Sequence, residues 1–289
     1  MTYRFVADNR AEWPVAGTCD ALEVSESGYH AWFGRDPSPA DRRRGELTAV
    51  IAVIHAEVKG RYGSPRMHAE LNARGHACSE NTVARLTRDG GVRARSPRRF
   101  ARTTDSGHRL PVAANLLDRD FAPAGPNESW GADITSVPTR EGWLSLAVVE
   151  DLFSRRIVGW SMAETMASRL AVDALSMAIV RRRPGAGLLA HSGRGSQYAG
   201  EHYRRALAAE GIACSTSGVG QCWDNAPVES FFGGLKRELR PGELFPTRGQ
   251  ARAEIFEYLE VFDNRVRLHS SLGYVSLVEF ERAHNPNHP

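Results

Sequence analysis

Apolar residues recur at helical spacing through the first third of the chain. From Ala40 to Lys59 they fall at Leu47, Val50, Ile51, Ile54 and Val58, which predicts one long helix. Tyr62-Gly63 ends it. Ser64 as N-cap, with Pro65 at the first helical position, predicts a second helix to about Asn72, stopped at Gly75. Ser79 is the N-cap candidate of a third, Glu80 to Arg88, closed by Gly90-Gly91. Helix, glycine-containing turn, helix is the outline of a helix-turn-helix, whose second helix carries Asn81, Arg85 and Arg88 on its polar side. A small helical bundle that binds nothing has the same outline.

The periodicity changes after a polar stretch from Thr104 to Glu128, read as a linker. Trp130 to Pro138 and Leu144 to Asp151 read as strands, joined by the turn Thr139 to Gly142, and Arg156 to Met162 reads as a third. A helix over Ser168 to Arg181 follows, then a strand over Gly187 to His191, a helix over Gly200 to Glu210 and a strand over Ile212 to Ser215. Asp224 or Asn225 is placed to cap a helix from Pro227 to Leu239. Arg248 to Phe262 is amphipathic, and Ser276 with Glu279 forms a capping box for a last short helix through about Ala283. A strand meander followed by alternating helices and strands predicts an α/β layer with a mixed sheet. The domain layout expected is a helical region over 1–103, a linker over 104–126, an α/β core over 127–240 and a helical extension over 241–289.

Charge sharpens this picture. Residues 1–126 carry 19 Lys+Arg against 15 Asp+Glu, and residues 127–289 carry 18 against 19. Between Gly91 and Thr103 lie Arg93, Arg95, Arg98, Arg99 and Arg102 with no acid among them, a run that suits a polyanion. A solvated linker has the same charge. No apolar run is long enough to span a membrane, and the N-terminus has no signal core, so the expected setting is cytoplasmic. The four cysteines, Cys19, Cys78, Cys214 and Cys222, have neither zinc-site nor disulfide spacing.

Asp133 lies within an apolar strand, between Ala132 and Ile134, where a carboxylate is costly unless paired or holding a cation. A lone aspartate there is more often an outward residue at a sheet edge. Glu229 opens the helix ESFFGGLKREL, where the helix dipole alone accounts for a glutamate, and Lys236 falls near its face. Together they fit the hard oxygen ligands that two-metal phosphoryl chemistry draws from different elements, with metals about 3.5–4 Å apart.

The segments WGADITSV, VVEDLFSRRIVGWSM, HSGRGSQY and CWDNAPVESFFGGLKREL resemble the core of retroviral-integrase-like DDE transposases. More closely, they resemble the second-frame (OrfB) protein of the two-frame insertion-sequence family. VSESGYHAW and YGSPRMHAEL resemble its N-terminal helix-turn-helix region, and FDNRVRLHSSLGYVSLVEFE its C-terminal signature, so the likeness covers nearly the whole chain. It implies a ribonuclease-H-like fold, with Asp133 and Glu229 as the first and third metal-binding acids. The second belongs at Gly193, inside an otherwise intact HSGRGSQY and with 35 residues between it and Glu229. Glycine offers no ligand oxygen, so the chain is expected to be impaired in catalysis.

The resemblance further implies Mg²⁺, with Mn²⁺ as a substitute, double-stranded DNA partners (terminal inverted repeats and target), and a first-frame (OrfA) protein. It also implies a multimer on DNA and a nucleoid-associated bacterial protein. His191, Arg194, Gln197 and Asn225 are expected near the scissile strand, and Lys236 near a phosphate. If the hairpin turns about Glu141, residue 133 faces 149, and Asp151 lies one diagonal step away as a spare carboxylate. Two rival readings are a non-catalytic DNA-binding regulator derived from a transposase and a ribonuclease-H-like nuclease. The helix-turn-helix and the basic run argue against the nuclease.

Overall fold

The computed structural model describes residues 2–95, 113–218, 221–239 and 243–284. The chain divides into two compact units, Met1–Val53 and Ile54–Pro289. The division does not fall within 104–126.

In the first unit, α1 (Thr2–Asn9), α2 (Val15–Ala21) and α3 (Glu26–Phe33) enclose Val6, Cys19 and Tyr29. Ser25 caps α3 by accepting from the Gly28 N–H. Helix α4 (Pro39–Glu57) crosses the division, and its predicted inner positions Leu47, Ile51 and Ile54 are buried.

The second unit begins with the two short helices expected. In α5 (Ser64–Ala73), Pro65 occupies the first turn, and Gly75 takes φ +82° just beyond the helix. In α6 (Glu80–Asp89), Ser79 accepts from the Thr82 N–H. Met67, Leu71, Val83 and Leu86 pack between them, which leaves Arg85 and Arg88 exposed.

The sheet contains β1 (Ser129–Thr139), β2 (Gly142–Asp151), β3 (Ile157–Ala163), β4 (Leu189–Ser192) and β5 (Ala213–Thr216). Its order is β3-β2-β1-β4-β5, antiparallel through the first three strands and parallel through β1, β4 and β5. This is the ribonuclease-H-like mixed sheet. Trp130, Ala132, Val149 and Val158 point to one face, where α7 (Ser168–Arg182) and α9 (Glu201–Ala209) supply Leu170, Ala174, Leu175, Ala178 and Leu207. A short α8 (Ser196–Ala199) lies between β4 and α9. The strand period of two sends Gly131 and Asp133 to the other face, under α10 (Ala226–Leu239).

Past α10, α11 (Arg248–Phe256) runs into a π-helical stretch, Glu257–Asp263, and α12 (Leu277–His284) closes the described chain. Ser276 and Glu279 bond each other reciprocally at its start, the capping box the sequence predicts. Asn264 holds this region to the β3 edge, with its amide accepting from the Ile157 N–H and donating to the Ile157 carbonyl, both at 3.0 Å. Tyr62 and Arg66, at the base of the helix-turn-helix, donate to the carbonyls of Val266 and Leu268.

Two expectations change. The stretch read as a linker is tied to β5 from its first described residues, though much of it stays exposed. Ser215 Oγ accepts from the Leu116 and Leu117 N–H groups, Ala114 O accepts from Thr216, and Leu117 is buried. The π-helical turns replace the regular helix read through Phe262.

Gly159 marks the tightest approach of sheet and helix. A Cβ there would sit 2.2 Å from the Ala174 carbonyl oxygen of α7 and 2.7 Å from the Ala178 nitrogen. Backbone cannot yield as a side-chain tip does, so Gly159→Ala should cost at least about 1–3 kcal/mol of folding stability. A urea midpoint unchanged from the parent would contradict this packing.

Candidate functional site

The site forms where β1 and β4 run parallel. Their register pairs Ala132 with Ser192, so Asp133 and the residue just past β4, Gly193, stand at one level. A Cβ built on Gly193 meets a single neighbouring atom, Asp133 Oδ1, at 3.8 Å. Residue 193 thus faces the Asp133 carboxylate across open space of ordinary van der Waals width.

Glu229 sits on the first turn of α10, exposed, and Lys236 two turns later, half-buried. Both act on Asp133. Its pKa is pushed up to about 7, first by burial of the carboxyl group and further by the Glu229 charge, against the pull of the Ile134 N–H and Lys236. Burial lowers the Lys236 pKa, and the Asp133 charge opposes that. The strand aspartate, the helix glutamate and the lysine therefore share one electrostatic neighbourhood.

Other side chains hold this geometry. Asn225 donates to the Ala132 carbonyl at 3.2 Å, which fixes the turn before α10 beside Asp133. Asp224, expected as a helix cap, instead accepts from Asn115, Arg119 and the Gly218 N–H. Asn115 and Arg119 come from the stretch read as a linker, and nothing in their polar surroundings distinguished them.

His191 is buried, with its ring nitrogens against Ser215 Oγ at 2.9 Å and Ser217 Oγ at 3.2 Å. Burial drives its pKa down to about 4, so it is neutral and ties β4 to β5 rather than facing a strand of DNA. Arg194 reaches the Ser217 carbonyl at 3.4 Å and Gln197 the Met166 carbonyl at 3.1 Å.

Asp151 belongs elsewhere. The hairpin turns on a two-residue loop, Arg140-Glu141, so Asp133 pairs with Val148 and Asp151 with Trp130. That is one residue away from the expected register, and a one-residue slip exchanges the faces. On the Trp130 side, Asp151 is buried against Arg182 at 3.1 Å and the N–H groups of Asn127 and Phe153.

The basic candidates separate in the same way. Arg85, Arg88 and Arg93 are exposed. Arg95 donates to the Glu238 and Leu239 carbonyls, which closes the C-terminal end of α10. Arg98, Arg99 and Arg102 lie outside the described residues.

Among the described residues, no group of three or more His, Cys, Asp or Glu side chains is arranged to hold a metal ion. The site brings together two carboxylates, Asp133 and Glu229, and Gly193. Among those residues, no helix is long and apolar enough to cross a membrane.

Comparison with known proteins finds related sequences over nearly the whole chain. The family described as "Integrase core domain" matches residues 123–222 and, in a second form, 210–276, and "HTH-like domain" matches 42–100. "Transposase InsF for insertion sequence IS3A" of Escherichia coli (strain K12) is 41% identical over 283 residues, 97% of this chain and 98% of that protein. "Insertion element IS600 uncharacterized 31 kDa protein" of Shigella sonnei is 42% identical over 92% of this chain and 98% of that protein. Among solved structures, a chain of the simian T-cell lymphotropic virus intasome in complex with PP2A regulatory subunit B56 gamma aligns with TM-score 0.47 and 16% identity, covering 83% of this chain and 76% of that one. The HTLV-2 integrase catalytic core domain in complex with magnesium aligns with TM-score 0.42 and 16% identity, covering 55% and 98%.

The raised pKa of Asp133 has a pH signature. Folding holds its proton above the ordinary value of 3.8, so ionisation works against the folded state as pH rises toward 7. Asp133→Asn should match the parent's thermal midpoint below about pH 4 and exceed it above neutrality, with the gain developing in between. A gain of equal size at every pH would contradict the assignment.

Proposed function

The chain belongs to the IS3-type insertion-sequence transposases, and from that premise we propose that it is an element-end-binding transposase subunit disabled in strand chemistry by Gly193. The observation that carries this reading is the place of residue 193, whose Cβ position opens onto Asp133 Oδ1 at 3.8 Å. A side chain can begin there without displacing backbone. As the chain stands, Asp133 and Glu229 are too few for a pair of divalent ions, and no strand-transfer step is assigned to it. With aspartate at 193 the set has the three carboxylates that suit Mg²⁺ or Mn²⁺, which supply charge stabilisation and an activated oxygen nucleophile when bound. Losing even an outer-shell partner of a metal ligand costs about 10–100-fold, so loss of a ligand itself costs more.

Double-stranded DNA is the proposed partner, as terminal inverted repeats and as target. The exposed Arg85, Arg88 and Arg93 suit its phosphates. Assembly as a multimer with a first-frame protein, in the bacterial cytoplasm at the nucleoid, is part of the same proposal. A second reading, a DNA-binding regulator without catalysis, is favoured by the same glycine together with the intact helix-turn-helix.

Strand cleavage and joining on a labelled element-end duplex, with Mg²⁺ or Mn²⁺, separates the two. Gly193→Asp should exceed the parent by at least ~100-fold, and adding Glu229→Gln should return it to background. Equal activity in parent and Gly193→Asp would sink the assignment of residue 193. Binding without activity in both selects the regulator. For the DNA face, replacing Arg85 and Arg88 with alanine should flatten the dependence of log affinity on log salt by roughly 0.9 per lost phosphate contact. An unchanged slope removes α6 from the interface.

A further inference from the structure

A cavity of about 440 Å³ opens on the side of α10 away from Glu229 and Lys236, between that helix, the π-helical turns and the 269–271 segment. This lies within the roughly 300–1,000 Å³ of small-ligand pockets. Two acids border it, Glu150 from β2 and Asp263 from the π-helical end, each 2% exposed. Among the described residues, Glu150 Oε2 and Asp263 Oδ2 are both buried with no hydrogen-bond partner. The second oxygen of each faces a guanidinium, Arg155 at 3.8 Å and Arg267 at 3.5 Å. Phe231 and Tyr258 give the cavity aromatic wall, and Ser230 and Arg237 are exposed at its mouth.

We propose that this cavity is a nucleotide pocket that takes one unstacked base of bound DNA, with guanine preferred. The proposal rests on the DNA reading above. Buried carboxyl oxygens without a partner call for N–H donors, and guanine presents two side by side, N1–H and the N2 amino group. Aromatic walls suit the face of a base, and Arg237 at the mouth suits its phosphate. A divalent cation fits the same acids poorly, because Arg66, Arg155 and Arg267 also border the cavity. The backbone is irregular on both sides of it. The β2–β3 register shifts at Val149/Glu150, and π-helical turns carry Tyr258 and Asp263. Such irregularities re-aim side chains and recur at functional sites. The pocket also gives a use to Asp263, Arg267 and His269 of the C-terminal signature, which the phosphoryl chemistry leaves without one.

Saturation-transfer NMR on the full chain with 5′-dGMP, 5′-dIMP and 5′-dTMP tests this, alongside anisotropy of a labelled duplex on the same sample. Inosine lacks the N2 amino group and should bind ~10-fold more weakly than guanine. Glu150→Gln should erase that preference. Ser230→Trp, an exposed α10 position that leaves the buried acids intact, should fill the mouth and abolish the dGMP signal. Equal saturation by all three nucleotides, or a dGMP signal unchanged in Ser230→Trp, overturns the pocket and leaves its acids to water. Duplex binding with no nucleotide signal overturns the pocket alone. Absence of duplex binding overturns the DNA reading, and the pocket with it.

Discussion

The site depends on a missing side chain at Gly131. Val228 of α10 lies where that residue's Cβ would be, and a methyl group there would meet Val228 Cγ2 at 2.8 Å and Leu152 Cδ2 at 3.1 Å. Glycine lets α10 rest close on β1, whereas any side chain would make Val228 and Leu152 shift. The contact sets the depth at which Glu229 and Lys236 stand over Asp133, two residues along the same strand face. Asn225 then fixes the start of the helix by bonding the Ala132 carbonyl between them. The strand that carries Asp133 thus gives up packing one step away so that a second element can reach it.

The desolvated acids of this unit divide by whether hydrogen bonds compensate their burial. Glu281 is buried, yet Arg182, Ser154 and Arg156 hold its pKa below the usual value. Asp133 near 7 and Glu150 near 8 are not compensated to that degree. Desolvation that is left uncompensated is stored at functional positions more often than at structural ones, since a bound cation or donor relieves it. The Trp130 face of the hairpin shows the contrast. There burial raises the pKa of Asp151 as well, but the Asn127 N–H and Arg182, which it shares with Glu281 in a network that spans β2, α7 and α12, pull against that rise.

Local chemistry was readable in the sequence wherever a single turn decides the outcome. Ser25 was not singled out, but Ser79, Pro65 and the Ser276–Glu279 box act as their types and spacing predict. The alternation around Asp133 places it opposite the apolar core. What sequence could not decide was set by one-residue offsets and by distant partners. A two-residue loop rather than a turn centred on Glu141 moved Asp151 to the other face. Arg95 sits in a run that charge alone assigns to a polyanion, yet its guanidinium goes to carbonyls some 143 residues away in sequence. His191 has the composition of a loop residue near substrate, but Ser215 and Ser217, remote in sequence, enclose it. Asn115 and Arg119 had no local signal, because their partner Asp224 is what gives them a role.

Gly193 shows why such a chain keeps its fold while lacking a ligand. None of the contacts that build the site passes through residue 193. The β1–β4 ladder ends at Ser192, α10 is seated by Gly131 and Asn225, and the β4–β5 link runs through His191. An aspartate at 193 would place a second anion next to a carboxylate that burial and Glu229 already drive toward protonation. Without a bound cation, like charges so close are destabilising. Glycine avoids that repulsion, so on the proposed reading the folded chain gains stability at the position where a ligand is given up. Such an opposition between stability and activity is common at sites whose charges are held close for a metal. It accounts for a scaffold around Asp133 and Glu229 that stays intact with glycine at 193.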